Sequence, residues 1–116
     1  MKYVMLIAGS EEAWSGLSED EEHRLMGEIG RWWGEQVSAG RIIEGYQLQP
    51  VATATTVRPN GAQGATVTDG PFIDAKEVVG GYGILDVENL DQAIALASEW
   101  PGPDVLEIRP VIEREQ

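Results

Sequence analysis

The chain has 116 residues, no cysteine and a net charge of -12. This length predicts one domain, residues 1–116, with its own hydrophobic core, and the absence of cysteine excludes disulfides and thiolate metal sites. The negative charge argues against nucleic acid and anionic membranes as partners, because both carry phosphate. The acidic side chains have two readings, solubility or recognition of a basic partner or cationic ligand. The apolar run that begins at Tyr3 is too short for a signal peptide, so we expect a cytoplasmic protein.

The first part of the chain predicts a strand followed by a long helix. Lys2–Ala8 is apolar on both of its faces, which is typical of a strand that is covered on both sides. Ser18 and Glu21 have the spacing of a capping box, which predicts a helix that begins there and ends near Ala39. Gly40 follows as the residue that ends the helix.

Three glycines lie inside this predicted helix, at Gly27, Gly30 and Gly34. Each is expected to cost roughly 1 kcal/mol relative to alanine. Two explanations are open: the glycines allow close packing against a sheet, or they leave room for a ligand.

The rest of the chain predicts strands, a hairpin and a second helix. The strands are Ile42–Gln49, Ala52–Arg58, Ala65–Thr68, Val79–Val87 and Val105–Ile112, and a helix with the stripe Ala93, Ile94, Ala97 and Trp100 follows Asn89. The order β-α-β, inserted hairpin, β-α-β predicts an α+β fold of the ferredoxin-like, split βαβ type. Helices cover only one face of such a sheet. Because Lys2–Ala8 is apolar on both faces, we expect a homodimer in which two sheets face each other.

The segment Thr68–Glu77 (TDGPFIDAKE) carries a resemblance. Together with Gly80-Gly81, Asn89-Leu90-Asp91, the opening MKYVMLIAG and the closing EIRPV, it resembles the DGPF branch of the YCII-related family. The resemblance implies a dimeric α+β barrel of undetermined biochemical role, in some members associated with sigma factors. It also implies a His–Asp pair in a cleft as a suggested active site.

The chain departs from this resemblance in its first long helix. The histidine that such proteins carry there falls on Ile29, and the one histidine of the chain, His23, lies six positions earlier. Six residues turn a helix about 120° away from the expected face. We therefore expect neither a histidine-dependent reaction nor a metal site, and we predict no cofactor.

Asp69 is the candidate catalytic residue, as a proton-transfer group or ligand anchor. Its alternative role is to accept hydrogen bonds within the turn. The other candidates for the cleft are Trp14, Gly70, Pro71, Phe72, Lys76, Tyr82 and Arg109. Their alternatives are structural: a core position for Phe72, and ion pairs for Lys76 and Arg109.

Two functions therefore remain open. The first is a module without catalysis, which binds a small ligand or a protein partner. The second is a small cofactor-independent enzyme that acts on a small metabolite, with Asp69 moving protons.

Overall fold

The computed structural model describes residues 1–73 and 75–114. Its strands are β1 (Lys2–Gly9), β2 (Ile42–Gln47), β3 (Thr55–Pro59), β4 (Ala65–Asp69), β5 (Val78–Asp86) and β6 (Val105–Pro110). Its α-helices are α1 (Glu11–Ser15), α2 (Glu19–Ser38) and α3 (Leu90–Ala97). Two 3₁₀ turns, Val51–Thr53 and Gly61–Gln63, flank β3.

Four strands form the main sheet, in the order β2-β5-β1-β6, and every neighbouring pair is antiparallel. The first strand therefore lies between the fifth and the sixth, as in a ferredoxin-like sheet. The prediction of a ferredoxin-like α+β fold is confirmed.

Helix α2 begins and ends where the sequence predicts. The Ser18 hydroxyl accepts a hydrogen bond from the Glu21 backbone N–H at 3.1 Å, and the Ser18 backbone N–H donates to Glu21 Oε1 at 3.4 Å. This reciprocal pair satisfies backbone groups that a helix start leaves without partners. Gly40 follows the last turn with φ of 76°, a value that only glycine adopts without strain.

The core forms where the helices cover the sheet. Along β1, the side chains of Tyr3, Met5 and Ile7 point towards the helices and are buried. They pack with Trp32, Ile42, Leu85, Val87, Ala93 and Leu96. On the opposite face of β1, Val4 and Leu6 are half-buried, although no helix covers them. The apolar character of both faces of β1 is thus confirmed.

The structure corrects several predicted boundaries. Between the first predicted strand and the first predicted helix, where the sequence predicts no helix, the structure has α1, whose first turn is capped by Ser10. The strand predicted at Ile42–Gln49 ends at Gln47, and the last strand ends at Pro110. As a result Ile112 lies beyond the sheet and is 77% exposed.

The residues that α3 buries in the core also differ from the predicted apolar face of this helix. Ala93 is buried as expected, but Leu96 takes the second core position and Ile94 is half exposed. Trp100 lies after the end of the helix, where its half-buried ring packs against the core.

The hairpin β3–β4 forms a two-stranded sheet of its own, which we call the arm (residues 55–69). It does not extend the main sheet. Val57 and Val67 face each other across the hairpin and are both exposed.

The molecule is a thin plate. It measures 47 × 46 × 19 Å, and its radius of gyration is 16.5 Å, against about 13 Å for a compact domain of this length. Its accessible surface is 8345 Å², against roughly 6,200 Å² for a compact monomer of this mass. The arm and the uncovered face of the sheet account for this additional accessible surface.

Among the described residues, no helix is long and apolar enough to cross a membrane.

Candidate functional site: a groove between the long helix and the sheet

A groove of about 980 Å³ lies between α2 and one end of the sheet. Its remaining walls come from the β1–α1 segment, the end of β2 with residues 48–50, the start of β5 and the α3–β6 loop. This volume is at the upper end of the range of small-molecule sites. We call this feature the groove.

One wall of the groove is a stripe of α2. Met26, Ile29, Gly30, Trp33 and Gly34 line it, at the spacing of one helix face. Apart from the backbone of α2 itself and the residues next to each glycine in the chain, a methyl group on Gly30 or Gly34 would find no atom of the described residues within 4 Å. The same holds for Gly27, which lies outside the groove. Close packing against the sheet is therefore the wrong explanation for these glycines, and two of them leave space in the groove.

The floor is built by close approach between Trp33 and glycines of the sheet. A methyl group on Gly45 would come within 2.6 Å of Trp33 Cζ2 and would overlap the carbonyl oxygen of Tyr82. A methyl group on Gly83 would lie 3.0 Å from Trp33 Cη2. The indole thus rests on two glycines that face each other across β2 and β5.

At one end of the groove, two indoles hold one carboxylate. Trp14 Nε1 donates to Asp104 Oδ1 at 3.0 Å, and Trp100 Nε1 donates to Asp104 Oδ2 at 3.1 Å. Methyl groups on Gly9 and Gly102 would lie 2.7 Å and 2.9 Å from the two carboxylate oxygens. Asp104 therefore fastens α1 to the α3–β6 loop.

Trp32 differs from the other tryptophans because it belongs to the core. It is 7% exposed, its Nε1 donates to Glu99 Oε2 at 3.3 Å, and its ring meets that of Trp100 edge to face at 5.5 Å. Trp32 is therefore a core residue, whereas Trp14, Trp33 and Trp100 all line the groove.

Among the predicted site residues, Trp14 lies in the groove, whereas the candidates from the segment Thr68–Glu77 do not; these are Asp69, Gly70, Pro71, Phe72 and Lys76. Asp69 ends the arm and is exposed, and within the described part of the chain its carboxylate accepts no hydrogen bond. Gly70 has φ of 94°, its N–H donates to the Ala54 carbonyl, and its own carbonyl accepts from Thr56 Oγ1 at 2.7 Å. The turn is thus held by backbone groups and Thr56, while the catalytic role of Asp69 stays a prediction.

The apolar and charged candidates of that segment are also exposed. Pro71 lies on the surface, and Phe72, at 70% exposure, is not the core residue that its alternative role required. Lys76 lines a smaller pocket of about 180 Å³, together with Glu11 and Glu12.

The last two candidates lie on the uncovered face of the sheet. Tyr82 faces Leu6 and Tyr46 in the strand pairing, and its ring lies 6.2 Å from that of Tyr46. Arg109 donates from Nη2 to Glu107 Oε2 at 2.8 Å, so the ion-pair alternative is observed for this residue. The structure does not bring either residue into the groove.

The position that the resemblance gives to a helix histidine does lie in the groove, and Ile29 occupies it. His23 is exposed on the same helix and lies outside the groove. Among the described residues, no three His, Asp or Glu side chains are grouped as a metal site would require.

Sequence reasoning did not identify Asp104, Gly45 or Gly102 as parts of a site. The sequence around Asp104, Trp-Pro-Gly-Pro-Asp, did carry a signal. A tryptophan and a carboxylate beside helix-ending prolines are expected to be held in a fixed loop. The contact with Trp14 joins residues 90 positions apart, and the sequence spacing does not show it.

Two comparisons with known proteins agree with this description. The family model of the YCII-related domain matches residues 1–115. An uncharacterised protein of Rhizobium meliloti (strain 1021) is 30% identical over 115 residues, which cover 96% of this chain and 92% of that protein.

Proposed function

The chain belongs to the YCII-related family, and we propose that this member binds a small molecule in the groove and does so as a homodimer. The observation that carries the proposal is the empty space beside Gly30 and Gly34. Glycine inside a helix costs about 0.5–1 kcal/mol relative to alanine, and within the described part of the chain no packing contact offsets that cost at these two positions. A ligand that occupies the space supplies the missing contacts.

The lining of the groove supports a binding role. Trp14, Trp33 and Trp100 contribute aromatic surface, and Met26 contributes a flexible apolar side chain. Ligand sites are typically apolar and aromatic clefts with a few polar groups. The contacts of Asp104 with two indoles fix one end of the groove before any ligand arrives, which lowers the entropic cost of binding.

A catalytic function has less support from the geometry. Ile29 gives the groove wall no group that transfers protons, and Asp69 lies on the exposed arm. The enzyme with Asp69 as its proton-transfer group, and the association with a sigma factor, remain predictions that need their own tests.

The homodimer is supported by the face of the sheet that no helix covers. Its central side chains are apolar, and Val4, Leu6, Tyr82 and Ile84 lie together there in neighbouring strands. The chain exposes roughly 2,000 Å² more than a compact monomer does, and a standard interface buries about 800 Å² on each partner. Pairing two such faces would leave the groove accessible, because Ile7, Trp33 and Gly45 line it from the helix side.

A thermal-shift screen with metabolites and apolar fragments tests the binding role. We expect compounds that raise the Tm of the native protein and fail to do so for Gly30→Phe, whose ring fills the groove. Gly27→Phe is the matched control, because Gly27 has equal free space on the same helix but does not line the groove. Compounds that act equally on both variants, or a screen without any hit, would contradict the proposal.

A further inference from the structure

We propose that the groove selects an organic cation: a compound with an aromatic or otherwise apolar body that carries a protonated amine or a quaternary ammonium. This inference rests on the proposed binding function and adds the chemical class of the ligand. It is based on the charge of the groove lining, on the hydrogen-bond and ion-pair partners of its carboxylates, and on its aromatic surface.

The charged side chains that line the groove all have the same sign. Among the residues that the structure describes, they are Glu11, Glu12, Glu22 and Asp104, and no lysine or arginine lines the groove. In the parts of the chain that the structure describes, none of these four carboxylates has a basic group within 4.0 Å. Lys76 is a candidate counter-charge, since it lines the small pocket that also contains Glu11 and Glu12. With Lys76 counted, the acids still outnumber the bases by four to one.

Two of the four carboxylates have no internal partner among the described residues. Glu11 Oε2 accepts from the Val51 backbone N–H at 3.0 Å, and both oxygens of Asp104 accept indole N–H groups. By contrast, no side-chain hydrogen bond of Glu12 or Glu22 is formed within the described part of the chain. Glu12 and Glu22 lie on α1 and α2, on different walls of the groove. An ammonium group between these walls would therefore meet carboxylates that have no competing partner.

The aromatic surface is suited to the same class of ligand. Three of the four tryptophans, Trp14, Trp33 and Trp100, line the groove. Indole faces attract cations through their quadrupole, and this attraction increases when the cation is removed from water. The surface area of the rings also binds an apolar body, so one ligand can use both properties.

An anionic ligand would meet the opposite conditions. The chain carries a net charge of -12, and no basic side chain of residues 1–73 and 75–114 lines the groove to meet a carboxylate or phosphate. Coulomb repulsion from four nearby carboxylates would weaken its binding. A neutral apolar compound would gain the aromatic contacts but nothing from Glu12 and Glu22.

Three probes with one indole skeleton separate these cases: tryptamine, which is cationic, tryptophol, which is neutral, and indole-3-acetate, which is anionic. Affinities are measured by calorimetry on the full chain at low salt and at 0.5 M NaCl. We expect tryptamine to bind about tenfold more tightly than tryptophol at low salt, and indole-3-acetate to bind least. The preference for tryptamine is expected to shrink in salt, because salt screens exposed charges.

Variants then locate the charges responsible. We expect Glu12→Gln and Glu22→Gln each to reduce the tryptamine-to-tryptophol ratio about two- to fivefold, with little change in tryptophol binding. Asp20→Asn is the control, because Asp20 lies in the same helix turn as Glu22 but about 160° around the helix from it. The control is expected to leave the ratio unchanged.

The outcomes distinguish the two proposals. If tryptophol binds as tightly as tryptamine and Gly30→Phe abolishes both, the binding function holds and the choice of a cation is wrong. If indole-3-acetate binds most tightly, or if no indole probe binds, the cation inference is overturned, and the fragment screen alone decides the binding function.

Discussion

The indole N–H of Trp14 and the carboxylate of Asp104 form a hydrogen bond of 3.0 Å across 90 residues of sequence. The other oxygen of the same carboxylate accepts from Trp100. Because Gly9 and Gly102 provide the room for this carboxylate, five residues in three segments are fitted to one another. The short helix α1 is therefore held in place at one end of the groove by a side chain near the end of the chain.

Asp104→Asn should destabilise the protein by about 1–3 kcal/mol. An asparagine has only one acceptor oxygen, and its NH₂ group would face one of the indole N–H donors. The measurement is urea unfolding followed by circular dichroism. Glu28→Gln is the control: it breaks the exposed pair with Arg24 on α2 and should cost less than about 1 kcal/mol. Equal effects of the two substitutions would show that Asp104 does not fasten these segments.

The link to Trp14 can be isolated with a double-mutant cycle. We expect Trp14→Phe to cost less in the Asp104→Asn background than in the native protein, with a coupling energy of about 0.5–3 kcal/mol. Unfolding free energies of the four proteins give this value directly. Additive effects would mean that the two side chains do not interact in solution.

Two groups of glycines should respond to alanine in opposite directions. Gly30→Ala adds a methyl group in open space inside a helix and should stabilise the protein by about 0.5–1 kcal/mol. Gly45→Ala would collide with Trp33 and the Tyr82 carbonyl and should destabilise it by about 1–3 kcal/mol. The Tm of each variant checks this pair. A loss of stability in Gly30→Ala would indicate a close packing partner that the single chain lacks.

The dimer predicts a solution mass of twice 12.6 kDa by light scattering at micromolar concentration. Leu6→Glu places a charge on the uncovered face of β1 and should yield monomers, because an unpaired charge in an interface is costly. Val57→Glu, on the exposed arm, is the matched control and should remain dimeric. A native protein with the mass of one chain would refute the dimer.

Asp69→Asn tests the catalytic alternative. Asp69 is exposed and outside the groove, so ligand affinity in the groove should not change and stability should shift by less than about 0.5 kcal/mol. The same ligands that shift the native Tm are used for the comparison. If the substitution abolishes a detected turnover, the proton-transfer role of Asp69 is supported and the binding proposal is incomplete.

The parts of the fold that depend on local chemistry could be predicted from the sequence. The capping pair of Ser18 and Glu21 and the positive φ of Gly40 are determined by neighbouring residues. The spacing of apolar residues along the chain predicted the order of strands and helices, and this order predicted the ferredoxin-like sheet that the structure has. Helix α1 was missed because its five residues are too few to show a helical period.

The groove could not be predicted in the same way, because its walls come from distant segments. The glycines of α2 are a signal that the sequence does contain, but their purpose is decided by what lies opposite them. The TDGPFIDAKE segment was predicted to form the site because it is a recognisable motif. Its residues Asp69–Phe72 lie instead at the end of the arm, outside the groove. A distinctive motif identified the family, whereas the groove is lined by residues that carry no motif.

The most direct test of the groove uses the indole N–H signals of the four tryptophans in a ¹⁵N correlation spectrum. The protein is titrated with the compound that raises its Tm most in the fragment screen. We expect the signals of Trp14, Trp33 and Trp100 to shift, while that of Trp32, which is 7% exposed in the core, stays in place. Shifts confined to the backbone signals of residues 68–73, with all four indole signals unchanged, would contradict binding in the groove.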